Sequence, residues 1–210
     1  MNSNMPPSSF TPPNTNLKNE PENENPIKEI IKFSVIALLI VIPIRLYIAQ
    51  PFVVSGDSML STFYNGEYLI VDEISYRFND PKRGDVVIFR YPNNPSQYFI
   101  KRIIGLPGET IQIEDNQVTI TSEEFPESFV LKEPYIAEMT KPTRTSVTLP
   151  ADEYFVMGDN RDHSSDSRLW GNLPKDKLIG KAMVRLFPPK RIEWQPGYYQ
   201  FDLSKDESYE

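Results

Sequence analysis

Hydrophobic positions divide the chain into three regimes. From Met1 to Pro26 the sequence is dominated by Asn, Pro, Ser and Glu, with too little apolar surface to offset the entropy of ordering it, which predicts a disordered tail over residues 1–27. From Lys28 to Ala49 (KEIIKFSVIALLIVIPIRLYIA) the pattern turns almost wholly apolar, unbroken from Phe33 to Ile42. The 20 residues from Ile30 to Ala49 would span about 30 Å as a helix, the thickness of a bilayer's hydrocarbon core. A transmembrane anchor over residues 28–49 is therefore the expectation. A buried soluble helix would need amphipathic partners, and the sequence that follows reads as strands. A cleaved leader would need a small-x-small site, where Tyr47 stands instead.

Beyond Gln50 the pattern changes to short apolar runs broken by turn formers. Tyr68–Val71, Asp85–Tyr91, Tyr98–Ile104, Thr110–Glu114, Gln117–Ile120, Tyr154–Met157 and Ile179–Phe187 are rich in β-branched and aromatic residues. Pro81-Lys82-Arg83-Gly84, Pro92-Asn93-Asn94-Pro95, Pro107-Gly108 and Asp115-Asn116 separate several of them. This predicts a mainly β domain of short, mostly antiparallel strands over residues 50–202, followed by a polar tail at 203–210.

Composition narrows the chemistry. Twenty prolines against nine glycines argue for extended segments and turns rather than long soluble helices. The net charge of −7 offers no basic surface for nucleic acid, so none is expected as a partner. With no cysteine there is no thiolate nucleophile, disulfide or cysteine-ligated zinc. With His163 as the single histidine, a histidine-clustered metal site is excluded, and no metal or cofactor is expected. Lys18, Lys28 and Lys32 precede the apolar span, and after Arg45 no Lys or Arg occurs until Arg77. This asymmetry predicts a cytoplasmic N-terminus with the large domain on the far side of the membrane.

Three segments can carry reactivity. SGDSMLST, Ser55–Thr62, begins a few residues after the anchor, so any chemistry at Ser58 lies within about 30 Å of the bilayer. Alone, it also reads as a simple turn. In YFIKRIIG, Lys101 shares a strand face with Phe99 and Ile103. A lysine in apolar surroundings loses hydration of its ammonium form and becomes a base near neutral pH; an exposed edge lysine is the plain alternative. GDNRDHSSDSR, Gly158–Arg168, packs three aspartates and two arginines after an apolar strand, which reads as a hydrogen-bonded polar network or as a solvated loop. It lacks the ligand spacing of a calcium loop.

Together and in this order, SGDSM, DVVIFRYP followed by YFIKRIIGLPGE, and GDNR-x-x-S-x-DSR resemble the type I signal peptidases, the leader peptidases of bacteria and organelles. The resemblance runs from the anchor to Ile192. It implies a β-fold bearing a Ser/Lys dyad that cleaves signal peptides after small residues, with secretory preproteins and the lipid bilayer as partners and a monomeric enzyme. By position it implies Ser58 as nucleophile, Lys101 as general base, Ser164 as the hydroxyl that orients the lysine, and the Ser58 backbone N–H in the oxyanion hole. Arg102, Asp159, Arg161, Asp166 and Arg168 would form a structural ion-pair network. Gly56 stands where some members carry an oxyanion-hole serine, and Ser61 where proline is common. His163 falls beside the orienting serine at a variable position and is not expected to act. A self-cleaving Ser/Lys repressor-type protease is disfavoured by the anchor, and an inactive membrane-tethered paralogue serving as a binding domain is disfavoured by the intact Ser58, Lys101 and Ser164.

Overall fold

The structure is a computed structural model that describes residues 26–47, 49–123, 127–136 and 143–201. The tails expected at 1–27 and 203–210 lie outside the described residues, except for Pro26 and Ile27, which begin a helix. That helix, α1, runs Pro26–Tyr47. Its large apolar residues from Phe33 to Ile42 are exposed, while Lys28, Glu29 and Lys32 occupy its first two turns. Among the described residues, no helix is long and apolar enough to cross a membrane.

The strands are β1 (Ala49–Val53), β2 (Tyr68–Asp72), β3 (Val86–Tyr91), β4 (Asn94–Gly105), β5 (Thr110–Glu114), β6 (Gln117–Thr121), β7 (Phe129–Val130), β8 (Thr145–Thr148), β9 (Glu153–Met157), β10 (Leu173–Pro174), β11 (Leu178–Phe187) and β12 (Glu193–Trp194). A single-turn helix, α2 (Ser167–Trp170), interrupts them. All pairings are antiparallel. The larger sheet has the order β1-β2-β11-β3-β4-β9-β10, with β12 added on β11, and the smaller has the order β7-β6-β5-β8. The fold is mainly antiparallel β, as the alternating pattern predicts.

Local sequence accounts for much of this. Asp115 and Asn116 both adopt positive φ, +48° and +68°, the two-residue turn whose twist suits the hairpin joining β5 and β6. The run Val86-Val87-Ile88-Phe89 is buried throughout because both faces of β3 are covered. Val86 and Ile88 join a core with Val54, Met59, Phe63, Leu69 and Ile100. Val87 and Phe89 pack with Ile103, Tyr154 and Val156 on the other face. β1 is absent from the sequence-predicted strands, and Pro51 is the reason it escaped notice. As an edge strand that, among the described residues, pairs only with β2, β1 can hold a residue that has no N–H to donate. β4 is longer than predicted because its hairpin turn is only Pro92-Asn93, with Tyr91 facing Asn94.

Candidate active site

The segment after β1 is tied down by local bonds. Val54 N–H donates to Glu67 O at 2.9 Å, and Gly66 N–H to Val54 O at 2.9 Å. Gly56, at φ +90°, turns the chain away from the strand in a conformation that side-chain-bearing residues avoid, and its N–H donates to Asn65 Oδ1 at 3.0 Å. A helical turn follows, with Leu60 N–H bonded to Asp57 O at 3.2 Å and Phe63 N–H to Met59 O at 2.8 Å. Met59 and Phe63 are buried in the core. They pin the turn from below and leave Ser58 half-buried at its start.

β4 brings Lys101 to that serine. Lys101 is 4% exposed; its Nζ lies 2.7 Å from Ser58 Oγ and donates to Ile100 O at 2.9 Å. The amine also sits 5.2 Å from the centre of the Phe99 ring. Among the described residues, no carboxylate forms an ion pair with it. Burial brings the Lys101 amine down from 10.5 to about 8, against the opposing pull of the Asp166 and Asp159 carboxylates. Desolvation thus outweighs the nearby negative charge. Ser58 and Lys101 open onto a cleft of about 290 Å³ whose apolar walls include Phe52, Val54, Leu69, Ile88 and Phe99. The exposed His163 and Ser165 also line it.

The polar run after β9 surrounds this pair. Asp159, completely buried, takes two bonds from Arg102, Nε to Oδ1 at 2.8 Å and Nη2 to Oδ2 at 2.6 Å. Arg102 also donates to Gly84 O and Gly197 O and lies over the Tyr135 ring. Arg168 binds both oxygens of buried Asp166 at 2.8 Å, and Asp166 accepts the Gly158 N–H at 3.1 Å. Arg161 pairs with Glu133 and donates to Gly158 O at 3.1 Å. The five charged residues named from sequence thus pack around the loop, but Arg161 takes a carboxylate from outside it.

Ser164 is buried, and among the described residues its Oγ has no hydrogen-bond partner. The orienting bond to Lys101 anticipated from the sequence is not formed here. The crowding centres on Gly158: a Cβ at that position would lie 2.3 Å from Ser164 Oγ and 2.4 Å from the Ser58 carbonyl oxygen. Only glycine allows the loop to approach Ser58 so closely. Asn160 completes the contact, with its N–H bonded to Ser58 O and its Nδ2 to Asp57 O, both at 3.0 Å. Gly56 N–H is already committed to Asn65 and is not open as a second oxyanion donor.

Sequence reading passed over Asn160, Gly158, Glu133 and Thr62. The first two stand inside the GDNR motif and were available. Glu133 lies in a stretch of ordinary polarity, and no local pattern points to it. Thr62 Oγ1 donates to Asp159 Oδ2 at 2.5 Å across 97 residues of sequence.

A buried amine with a lowered pKa against a serine hydroxyl, under an apolar cleft, can in its neutral form generate a nucleophile without histidine or metal. Comparison with known proteins identifies the family. The family described as "Signal peptidase, peptidase S26" matches residues 27–187. Signal peptidase I of Leptolyngbya laminosa is 36% identical over 193 residues, covering 89% of this chain and 92% of that protein. The probable signal peptidase I-1 of Synechocystis sp. is 37% identical over 172 residues, 79% of this chain and 85% of that one. Signal peptidase I P of Bacillus subtilis subsp. natto is 34% identical over 178 residues, 82% and 96% respectively. This chain belongs to the signal peptidase family, peptidase S26.

Proposed function

We propose that this chain is a membrane-bound serine endopeptidase that removes N-terminal signal peptides from exported preproteins, with Ser58 as nucleophile and Lys101 as general base. The observation that carries the reading is the 2.7 Å contact between Ser58 Oγ and a Lys101 amine that is buried and, among the described residues, has no carboxylate partner. With its pKa near 8, about a tenth of the amine is neutral at pH 7, whereas an ordinary lysine would be neutral in less than about one molecule in a thousand.

The neutral amine accepts the hydroxyl proton as Ser58 Oγ attacks the scissile carbonyl. The resulting ammonium returns the proton to the leaving amine, and the amine then deprotonates the water that hydrolyses the acyl-enzyme. Ile100 O holds one amine hydrogen. The unpartnered Ser164 Oγ is the candidate to receive a second when substrate closes the site. The Ser58 N–H is the candidate oxyanion donor. The substrate lies extended in the cleft, its main chain pairing with flanking strand edges.

Support for membrane attachment comes from the exposed apolar run Phe33–Ile42, a contiguous surface suited to lipid. The lysines before it favour a cytoplasmic N-terminus, with the catalytic domain acting as a monomer on the opposite side.

A secretory precursor incubated with the full chain in detergent should release its mature product. Ser58→Ala and Lys101→Arg should each lower kcat/KM by on the order of 10⁴ or more, because arginine keeps the charge but cannot give up its proton. Cleavage surviving in Ser58→Ala would remove the nucleophile from the scheme.

A further inference from the structure

We infer that Thr62 is a positioning residue for the nucleophile, its hydroxyl closing a ring of contacts that fixes where Ser58 stands relative to Lys101. This inference rests on the dyad reading above. Lys101 and Arg102 are consecutive in β4. Arg102 binds Asp159 through two donors, and Asp159 Oδ2 accepts from Thr62 Oγ1 at 2.5 Å. Thr62 lies in the turn that begins at Ser58, closed by the Phe63 N–H to Met59 O bond. Ser58 Oγ then meets Lys101 Nζ at 2.7 Å. Nucleophile and base are thereby built from a single frame rather than from two independently placed segments.

Asp159 and its neighbour Asn160 grip this turn at both ends. Asn160 holds Ser58 O and Asp57 O, while Asp159 holds the Thr62 hydroxyl. Arg102 and Asp159 are completely buried and pair in the side-on geometry that resists rotation. Within the ring, the Thr62 hydroxyl is the link that depends on one neutral donor.

The main chain at Thr62 is held separately. Its carbonyl accepts from Arg185 Nη2 at 2.9 Å and Arg191 Nη2 at 3.4 Å, and its methyl lies where Gly197 leaves room, since a Cβ on Gly197 would fall 2.5 Å from it. The backbone anchors and methyl packing survive when threonine becomes valine. What valine removes is the link between the turn and the buried ion pair.

The test compares Thr62→Val with Thr62→Ser in the full chain, using steady-state cleavage of a precursor peptide, a pH profile and thermal unfolding. Thr62→Val is expected to lower kcat by about 10- to 100-fold, the scale set by a misplacement of about 1 Å. KM should stay within about twofold of wild type, because the cleft walls are untouched. Thr62→Ser should recover kcat to within about threefold. The rise of activity with pH should keep its midpoint in Thr62→Val, because Lys101 stays buried; a collapsed site would move that midpoint toward the ordinary lysine range. If the valine variant does not fold, Thr62→Cys, with a weaker donor of similar size, should give an intermediate kcat. Wild-type kcat in Thr62→Val, a loss confined to KM, a shifted midpoint, or a serine or cysteine variant as impaired as valine would each overturn the inference. Ser58→Ala run in parallel separates the two claims: activity there defeats the dyad reading, whereas a dead Ser58→Ala beside a normal Thr62→Val defeats only the role of Thr62.

Discussion

Lys101 and Arg102 are neighbours in β4, and the two faces of that strand treat a buried cation in opposite ways. On one face, the Lys101 amine has a serine hydroxyl, a carbonyl and an aromatic ring around it and, among the described residues, no paired carboxylate. On the other, the Arg102 guanidinium is wrapped by Asp159, two carbonyls and the Tyr135 ring. Burial alone would disfavour charge on both. Pairing reverses the balance for arginine, whose pKa is raised overall despite desolvation, and leaves lysine depressed. The arginines also occupy the carboxylates that would otherwise hold Lys101 protonated: Asp159 is taken by Arg102, and Asp166 by Arg168. The site therefore needs acidic residues nearby to anchor its loop, and needs them already paired.

The largest effect should follow from breaking the paired face. Arg102→Met leaves Asp159 buried without its cation and should destabilise the fold by about 3–5 kcal/mol. Chemical denaturation would measure this; a loss under about 1 kcal/mol would mean that solvent or another cation reaches Asp159.

The opposite sign is expected on the other face. The folded-state pKa of Lys101, about 8, lies below its ordinary 10.5. Between those values the unfolded chain holds a proton that the folded chain lacks, so stability rises with pH across the window. Below about pH 8 both states are protonated, and the folded state bears the full penalty of about 3 kcal/mol. Lys101→Met removes it. The variant should be inactive yet more stable than wild type by about 1–3 kcal/mol at pH 7, with the advantage shrinking as pH climbs from 8 toward 10. Paired urea melts at pH 7 and 9.5 would check the trend, and a variant less stable than wild type at pH 7 would mean that the amine's hydrogen bonds outweigh its desolvation.

Ser164→Ala sharpens the comparison least. It removes a buried hydroxyl that has no partner among the described residues, so stability should hold or rise slightly. If that hydroxyl engages Lys101 only with substrate bound, kcat should fall about tenfold. An unchanged kcat would confine Ser164 to packing beside Gly158.

Much of this was legible in the chain. The doubly buried strand Val86–Phe89, the Asp115-Asn116 hairpin and the alternation around Lys101 each follow from local periodicity and turn chemistry, which need no knowledge of distant partners. The ordered motifs around Ser58, Lys101 and Gly158–Arg168 pointed to the candidate site for the same reason, since each is a short local pattern. β1, with Pro51 inside it, was not legible, because only its place at the sheet edge makes that proline tolerable. Nor could the sequence assign Glu133 to Arg161, Thr62 to Asp159, or the Ser58 carbonyl to Asn160. Those partners are separated by 28, 97 and 102 residues, and their meeting depends on strand order and register, which only the assembled tertiary structure decides. The sequence by itself determined which groups could react. The packing of β4 against β9 and its loop determined which cation would be paired with a carboxylate and which would be left against Ser58, because that choice turns on burial and on distances between segments far apart in the chain.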